Sequence, residues 1–119
     1  MKSGKEDHNE FREKIKELRL KKTVTQEQLA MADCLVSIGQ YNEAIPYYRK
    51  ALELQPAPRY TDAYLSIAQI HEIQENYEAA IQAWEGVLKL RQEEWNCQEG
   101  EAIDEPMREI ARLREINRT

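Results

Sequence analysis

Apolar side chains recur along this chain at spacings of three and four residues, the pattern of helices that each bury one face. Residues 23–25 interrupt the first run. Thr25 followed three residues later by Gln28 predicts a new helix start, because together they can form a capping box. The apolar positions of the first run are Phe11, Ile15 and Leu18.

The same reasoning predicts about six helices and no strand. Gly39 ends the second helix, since glycine takes the left-handed conformation without a steric cost. Thr61 and Asp104 are predicted N-caps, and Asn76 is expected to take the left-handed position in the turn equivalent to that of Gly39. The predicted helices span approximately residues 6–21, 25–38, 42–54, 61–74, 77–91 and 104–117.

Residues 25–58 and 61–94 are two copies of one unit, offset by 36 residues. A period of this size predicts a stacked repeat architecture, in which each helix pair covers the open face of the next pair. The first members of the identical pairs are Thr25, Leu29, Ala32, Tyr41, Ala44, Ile45, Leu52 and Leu54, and each recurs 36 residues later.

The distribution of charge along the chain disfavours some classes of partner. The chain has 119 residues and a net charge of −5, which is unevenly spread. Residues 1–24 carry eight Lys/Arg against five Asp/Glu, a balance of +3, while residues 25–119 carry nine against seventeen, a balance of −8. The acidic bulk would repel phosphates, so nucleic acid is a disfavoured partner. No apolar run suggests a signal peptide or a membrane span.

The two cysteines do not make a disulfide scaffold. Cys34 lies within a helical apolar pattern and is expected to be a buried free thiol, whereas Cys97 is expected to be an accessible loop thiol. Unpaired thiols indicate a reducing compartment, and we therefore expect a cytoplasmic protein.

The first copy resembles a tetratricopeptide repeat. Its motif residues are Met31, Ala32, Leu35, Gly39, Tyr41, Ala44, Tyr48, Ala51 and Pro56. The second copy matches through Tyr64, Ile67, Ala68, Tyr77, Ala80, Ile81, Trp84 and Leu88. Residues 104–117 look like a further first helix, displaced by 43 residues. The resemblance implies an all-α fold, a right-handed α-solenoid of antiparallel helix pairs.

We expect four segments: an N-terminal charged capping helix over 1–24, the repeats over 25–94, a linker over 95–103 and a C-terminal capping helix over 104–119. An alternative to the caps is that the chain is a fragment of a longer repeat array. The predicted core positions are Ala32, Ala44, Tyr48, Ala51, Ala68, Ala80, Trp84 and Leu88.

Catalysis finds little support. His8 and His71 lie in unlike settings, and His71 is expected to be a satisfied histidine at the edge of the core. There is no phosphate-binding loop, nucleophile elbow or zinc motif. We therefore expect a protein that is not an enzyme and that needs no cofactor or metal.

The resemblance implies a peptide-binding groove lined by the first helix of each repeat. A ligand with apolar and acidic side chains is expected, since the leucines offer apolar contact and the arginines can bond a carboxylate. A clamp for a chaperone C-terminal carboxylate is not expected, because Asp33 would repel it. The groove positions are Gln26, Leu29, Asp33, Val36, Asp62, Leu65, Gln69, Ile73, Arg108 and Arg112.

Two other surfaces remain candidates. The basic N-terminal helix is expected to present a solvated, partly ion-paired face. The alternative functional interpretation is that this helix binds RNA or an anionic surface. The exposed ends of a short repeat array also favour a structural alternative, in which the chain forms a homo-oligomer or docks in a larger assembly.

Overall fold

The computed structural model of the protein describes the backbone of residues 3–119 and the side chains of residues 10–119. Over that part of the chain the fold is all-α, with five helices that pack in chain order, each on the next. None of these helices is long and apolar enough to cross a membrane. The helices are α1 (Ser3–Ser37), α2 (Tyr41–Leu54), α3 (Asp62–Ile73), α4 (Tyr77–Glu93) and α5 (Glu101–Arg118).

The first predicted helix boundary is wrong, and residues 3–119 form five helices rather than about six. The chain stays helical through residues 23–25 because the threonine hydroxyls bond backward instead of capping. Thr23 donates to the carbonyl of Arg19 at 3.0 Å, and Thr25 donates to that of Lys21 at 2.7 Å. Such bonds let threonine remain inside a helix.

The core confirms most of the predicted positions. The six small or aromatic positions from Ala32 to Ala80 are all buried, whereas Trp84 and Leu88 are only half-buried. Trp84 borders two buried clusters, one centred on α1, α2 and α3 and the other on α4 and α5. The fully or nearly buried predicted positions are Ala32, Ala44, Tyr48, Ala51, Ala68 and Ala80.

The turns between helices depart from the prediction in one detail. Gly39 has the expected positive φ of 80°, but at the equivalent turn it is Glu75, not Asn76, that takes a φ of 60°. Asn76 instead occupies the N-cap of α4 and accepts a bond from the amide of Ala79 at 3.4 Å. Glutamate in a left-handed conformation carries a steric cost that glycine avoids.

The α2–α3 connection is fixed to the end of α4 by one ion pair. Arg59 Nη2 donates to Glu94 Oε2 at 2.7 Å, and Arg59 Nε donates to Glu94 Oε1 at 3.2 Å. The indole of Trp95 donates to the Arg59 carbonyl at 2.7 Å. The hydrogen bonds from Arg59 hold the pKa of the Glu94 carboxyl below its ordinary value.

The last helix begins three residues earlier than predicted, at Glu101 instead of Asp104. Pro106 therefore lies inside α5 and lacks the amide that would bond the carbonyl of Ala102. Arg91, buried near the end of α4, donates to that carbonyl at 3.0 Å. The same guanidinium bonds Glu105 at 2.9 Å and the hydroxyl of Thr61 at 3.2 Å. The Thr61 hydroxyl therefore accepts a bond from Arg91, and the Thr61 side chain makes no cap bond to α3.

Candidate functional site

Helix α5 occupies the same place in the repeat pattern as α3. With the predicted displacement of 43 residues, three of the four buried positions of α5 correspond to buried positions of α3, and the fourth, Ile103, corresponds to the exposed Tyr60 that precedes α3. The pairs are Ala63 and Pro106, Ile67 and Ile110, and Ile70 and Leu113. These three shared positions relate α5 to α3 by burial, whereas α1 is related to α3 by sequence, with Leu29 and Ala32 recurring as Leu65 and Ala68.

On α1 the predicted groove residues alternate between exposed polar and half-buried apolar side chains. Gln26 and Asp33 are exposed, while Leu29 and Val36 pack partly against the first buried cluster. Asp33 is not free, because the hydroxyl of Tyr48 on α2 donates to its Oδ1 at 2.5 Å. Burial, reinforced by this bond to Asp33, raises the pKa of Tyr48 to about 12.

On α3 the same alternation appears. Asp62 and Gln69 are exposed and Leu65 is half-buried. Ile73 is 60% exposed, which makes it the most accessible apolar side chain of the predicted set. The position equivalent to Val36 after 36 residues is Glu72, however, and not Ile73.

Glu72 is the site residue that the sequence prediction missed. Its carboxylate bonds Arg112 of α5, with 2.7 Å between Oε1 and Nη1. Arg112 also contacts Glu109 at 2.7 Å, and these two carboxylates raise the pKa of Arg112 above its ordinary value. The Glu72–Arg112 pair shows that the free edges of α3 and α5 border each other. Strict use of the 36-residue offset would have identified Glu72.

The other predicted arginine, Arg108, is paired locally. Its Nη2 lies 2.7 Å from Glu101 Oε1, and both side chains are well exposed. Among the side chains that the structure describes, no hydrogen bond or ion pair joins two of the ten predicted groove residues. The set therefore forms a surface along three helices and not a closed cluster.

His71 is buried as predicted, but its Nδ1 has no hydrogen-bonding partner, so it is not the satisfied histidine that was expected. His8 lies outside the described side chains. No group of three His, Cys, Asp or Glu residues within 10–119 could hold a metal ion.

The predicted burial of the two cysteines is wrong. Both are free thiols, but Cys34 is exposed and Cys97 is half-buried. The position equivalent to Cys34 in the second copy is Ile70, which is only 2% exposed. Ile70 lies in the first buried cluster, with Ala44 and Tyr48 of α2, whereas Cys34 belongs to neither buried cluster.

These features define a helical repeat protein, in which helix pairs pack in sequence around two buried clusters that Trp84 borders. A family model described as tetratricopeptide repeat matches residues 29–92, more than half of the chain. The protein therefore belongs to the tetratricopeptide repeat family, whose repeats generally mediate protein–protein interactions. Comparison with curated proteins and with solved structures gave no match.

Proposed function

We propose that this protein is a recognition module that binds a peptide segment along the free faces of α1, α3 and α5. The observation that carries the proposal is the equivalence of α5 to α3, together with the Glu72–Arg112 ion pair where these helices meet. A surface built from three equivalent helices presents side chains at regular intervals, as an extended or helical ligand requires.

The apolar part of the proposed surface lies at its first two helices. Leu29 and Leu65 are half-buried, so each keeps some apolar surface that a ligand can cover. Ile73, with 60% of its surface exposed, adds the largest accessible apolar area of the set. We expect the ligand to place aliphatic or aromatic side chains here, since burial of apolar surface is the main source of binding free energy.

The charged groups give the ligand a direction. Asp33 and Asp62 lie on the first two helices and favour a basic ligand residue there, while Arg108 and Arg112 on α5 favour a carboxylate. Both arginines already hold carboxylates of the chain itself, at exposed positions. Exposed ion pairs of this kind contribute only about 0–1 kcal/mol, so a ligand carboxylate can replace them at little cost.

Selection from a displayed peptide library, followed by fluorescence anisotropy on the selected peptides, tests the proposal. We expect the Arg108→Ala and Arg112→Ala double variant to bind them more weakly by about 1–3 kcal/mol, the scale of hydrogen bonds to charged groups. Binding by the wild type should also weaken with added salt.

A matched control uses the same helix and the same change in charge. Arg114 pairs with Glu85 of α4 and Arg118 with Glu115, away from the proposed surface. The Arg114→Ala and Arg118→Ala double variant should therefore bind the selected peptides as the wild type does. Equal loss in both double variants, or loss in neither, would mean that the peptides bind elsewhere.

A structural role in an assembly is the second candidate, and one observation favours it. Met31 is 48% exposed, while its equivalent in the second copy, Ile67, is 3% exposed. With Ile38, which is 67% exposed, Met31 forms an apolar strip at the first end of the repeats. Sedimentation equilibrium of the wild type and of Met31→Glu decides this: a wild-type dimer that the variant abolishes would favour assembly through this end.

A further inference from the structure

The first helix extends far beyond the rest of the fold. At about 1.5 Å per residue, the 35 residues of α1 span about 52 Å, whereas the 14 residues of its neighbour α2 span about 21 Å. The molecule is accordingly 71 Å long, and its radius of gyration is 18.1 Å, against about 14 Å for a compact domain of this length. We call residues 10–22 the arm.

The arm continues the same helix face that α2 covers further along. Phe11, Leu18, Thr25 and Ala32 follow one another at intervals of seven residues, so they share one side of α1. Ala32 is fully buried in the cluster that contains Ala44 and Tyr48 of α2, and Thr25 is 6% exposed.

On the arm, this face of α1 is not covered by α2. Phe11 is 62% exposed and Leu18 is 50% exposed, with the half-buried Ile15 between them. The cause lies in α2, which ends at Leu54 and is followed by Pro56, so the chain turns away where the face of α1 continues. A second helix lying along the arm would continue the line that α2 leaves.

The charges beside this face have one sign. Arg12 and Arg19 border it on one side, and Lys14 and Lys21 border it on the other, all of them exposed. In the heptad notation of paired helices these are the e and g positions, which select the partner helix by charge. Within the described side chains, the ion pair on the arm joins Lys16 to Glu13, at 3.7 Å, and involves none of the four.

This pattern disfavours a second copy of the arm as the occupant. In a parallel pair, the lysines of one copy would contact the arginines of the other copy. In an antiparallel pair, lysines would contact lysines and arginines would contact arginines. Every flanking contact would then be repulsive. The acidic side chains of the arm, Glu10, Glu13 and Glu17, do not flank the apolar face.

The face is also narrow. Its apolar residues occupy single a and d positions over two heptads, whereas a helix that lies in a membrane surface has a broad apolar side. The remaining large apolar residue, Leu20, is rotated by about 200° from Leu18 and lies on the opposite side. A narrow seam with charged borders is the geometry of helix pairing.

We propose that the arm is a second docking surface, separate from the groove, and that it binds an amphipathic helix of a partner protein whose apolar seam is bordered by glutamate or aspartate. The bound helix would lie along Phe11, Ile15 and Leu18 as α2 lies along the later part of α1. The four basic residues would each face a carboxylate.

Two synthetic peptides test the charge rule with the full chain. Each has 21 residues with leucine at every a and d position; one carries glutamate at every e and g position, and the other carries lysine there. By fluorescence anisotropy we expect the glutamate peptide to bind at least tenfold more tightly than the lysine peptide. Reversal of the four borders, with Arg12, Lys14, Arg19 and Lys21 each changed to Glu, should invert this preference.

The apolar seam is tested with a matched pair of variants. Leu18→Ser should weaken the glutamate peptide about tenfold, whereas Leu20→Ser, an equal change on the opposite side of the same helix turn, should leave it unchanged. Both residues are exposed, so neither change should unfold the protein, and circular dichroism verifies this.

Three outcomes would overturn the proposal. Equal affinity for the two peptides would show that the borders do not select charge, and equal loss in the two serine variants would show that the seam is not the contact. Binding to anionic phospholipid vesicles that Leu18→Ser abolishes, with no binding of either peptide, would make the arm a membrane-surface element. Failure of the Arg108→Ala and Arg112→Ala variant in the library experiment would bear on the groove alone.

Discussion

The guanidinium of Arg91 donates a 3.0 Å hydrogen bond to the carbonyl oxygen of Ala102. In a regular helix this oxygen would accept a bond from the amide of residue 106, but Pro106 has no amide hydrogen. A residue near the end of α4 thus completes the backbone bonding of α5. Because Arg91 is 8% exposed and also bonds Glu105 and Thr61, it holds three structural elements together with one side chain. Its ring partner is Trp95, whose centroid lies 5.4 Å from the guanidinium carbon.

Replacing this arginine should therefore be costly. We expect Arg91→Met to lower the free energy of unfolding by about 1–3 kcal/mol, because it leaves the acceptors on Ala102 and Thr61, which are largely shielded from water, without a donor. The exposed Arg114, which pairs with Glu85 at 3.6 Å, is the control, and Arg114→Met should change stability by less than about 0.5 kcal/mol. Urea unfolding monitored by circular dichroism measures both.

Pro106→Ala tests whether the hydrogen bond from Arg91 to the Ala102 carbonyl contributes to stability. The new amide at residue 106 can bond the Ala102 carbonyl, so Arg91→Met should cost less in the Pro106→Ala background than in the wild type. A double-mutant cycle isolates this coupling. Additive effects would show that Arg91 acts only through Glu105 and Thr61.

Tyr64 packs so closely against Gly86 that we expect Gly86→Ala, a change that ordinarily stabilises a helix, to destabilise this protein. A β-carbon at Gly86, in the middle of α4, would lie 2.6 Å from Cε1 of Tyr64, whose ring packs against the core. Helix propensity alone favours alanine over glycine by about 1 kcal/mol. We nevertheless expect Gly86→Ala to destabilise the protein, and thermal unfolding gives the sign.

The cause is separable from other effects of the substitution. With Tyr64→Ala already in place, the β-carbon has room, and Gly86→Ala should then stabilise by up to about 1 kcal/mol. A stabilising effect in both backgrounds would mean that the Tyr64 ring moves aside without cost.

The periodic part of the sequence predicted the periodic part of the fold. Helices α2, α3 and α4 begin and end close to the predicted residues, because small residues recurring every 36 positions leave few other packing arrangements. Local signals were more ambiguous: Thr25 can cap a new helix or bond backward within an old one, and only the structure shows that it does the latter.

The surface was harder to predict than the core. The pattern around Cys34 and the pattern around Ile70 are alike, yet Cys34 is exposed and Ile70 is buried, because burial depends on which other helices pack against each position. Equally, no local pattern indicates that Arg112 reaches Glu72, 40 residues earlier. Ion pairs between helices of different repeats are tertiary contacts, so their partners follow from packing and not from the spacing of residues along one helix.

Glu75 offers a direct test of backbone strain. Its φ of 60° is left-handed, and the equivalent residue in the first copy is Gly39. We expect Glu75→Gly to stabilise the protein by about 0.5–1 kcal/mol, the steric cost removed less the added freedom of the unfolded chain. Gly39→Ala, which has no atom within 4 Å of the new β-carbon, should destabilise by a similar amount through the backbone alone.

The two thiols should react at different rates in the native protein. Cys34 is exposed on α1, whereas Cys97 is half-buried and its Sγ lies 3.8 Å from the Trp95 carbonyl. Reaction with a disulfide reagent should show a fast phase that Cys34→Ser removes and Cys97→Ser retains. The opposite assignment would contradict the exposed position of Cys34.

The buried imidazole of His71 predicts how stability changes with pH. Burial lowers the pKa of His71 below 6.5, and the charge of Arg49 lowers it further. The unfolded chain therefore binds a proton more readily than the folded one, and the free energy of unfolding should fall as pH drops below about 6.5. At pH 5.5 this loss reaches at most about 1.4 kcal/mol, since one pH unit corresponds to 1.36 kcal/mol.

His71→Leu is the natural comparison, because the first copy has Leu35 at the equivalent position and because the imidazole Nδ1 has no partner to lose. The variant should be more stable than the wild type at pH 5.5, and the difference between the two should shrink between pH 5.5 and 7.5. His8 and the carboxylates are present in both proteins, so their titration cancels in that difference. Urea unfolding at each pH gives the values, and a difference independent of pH would mean that His71 binds its proton equally well in the folded protein.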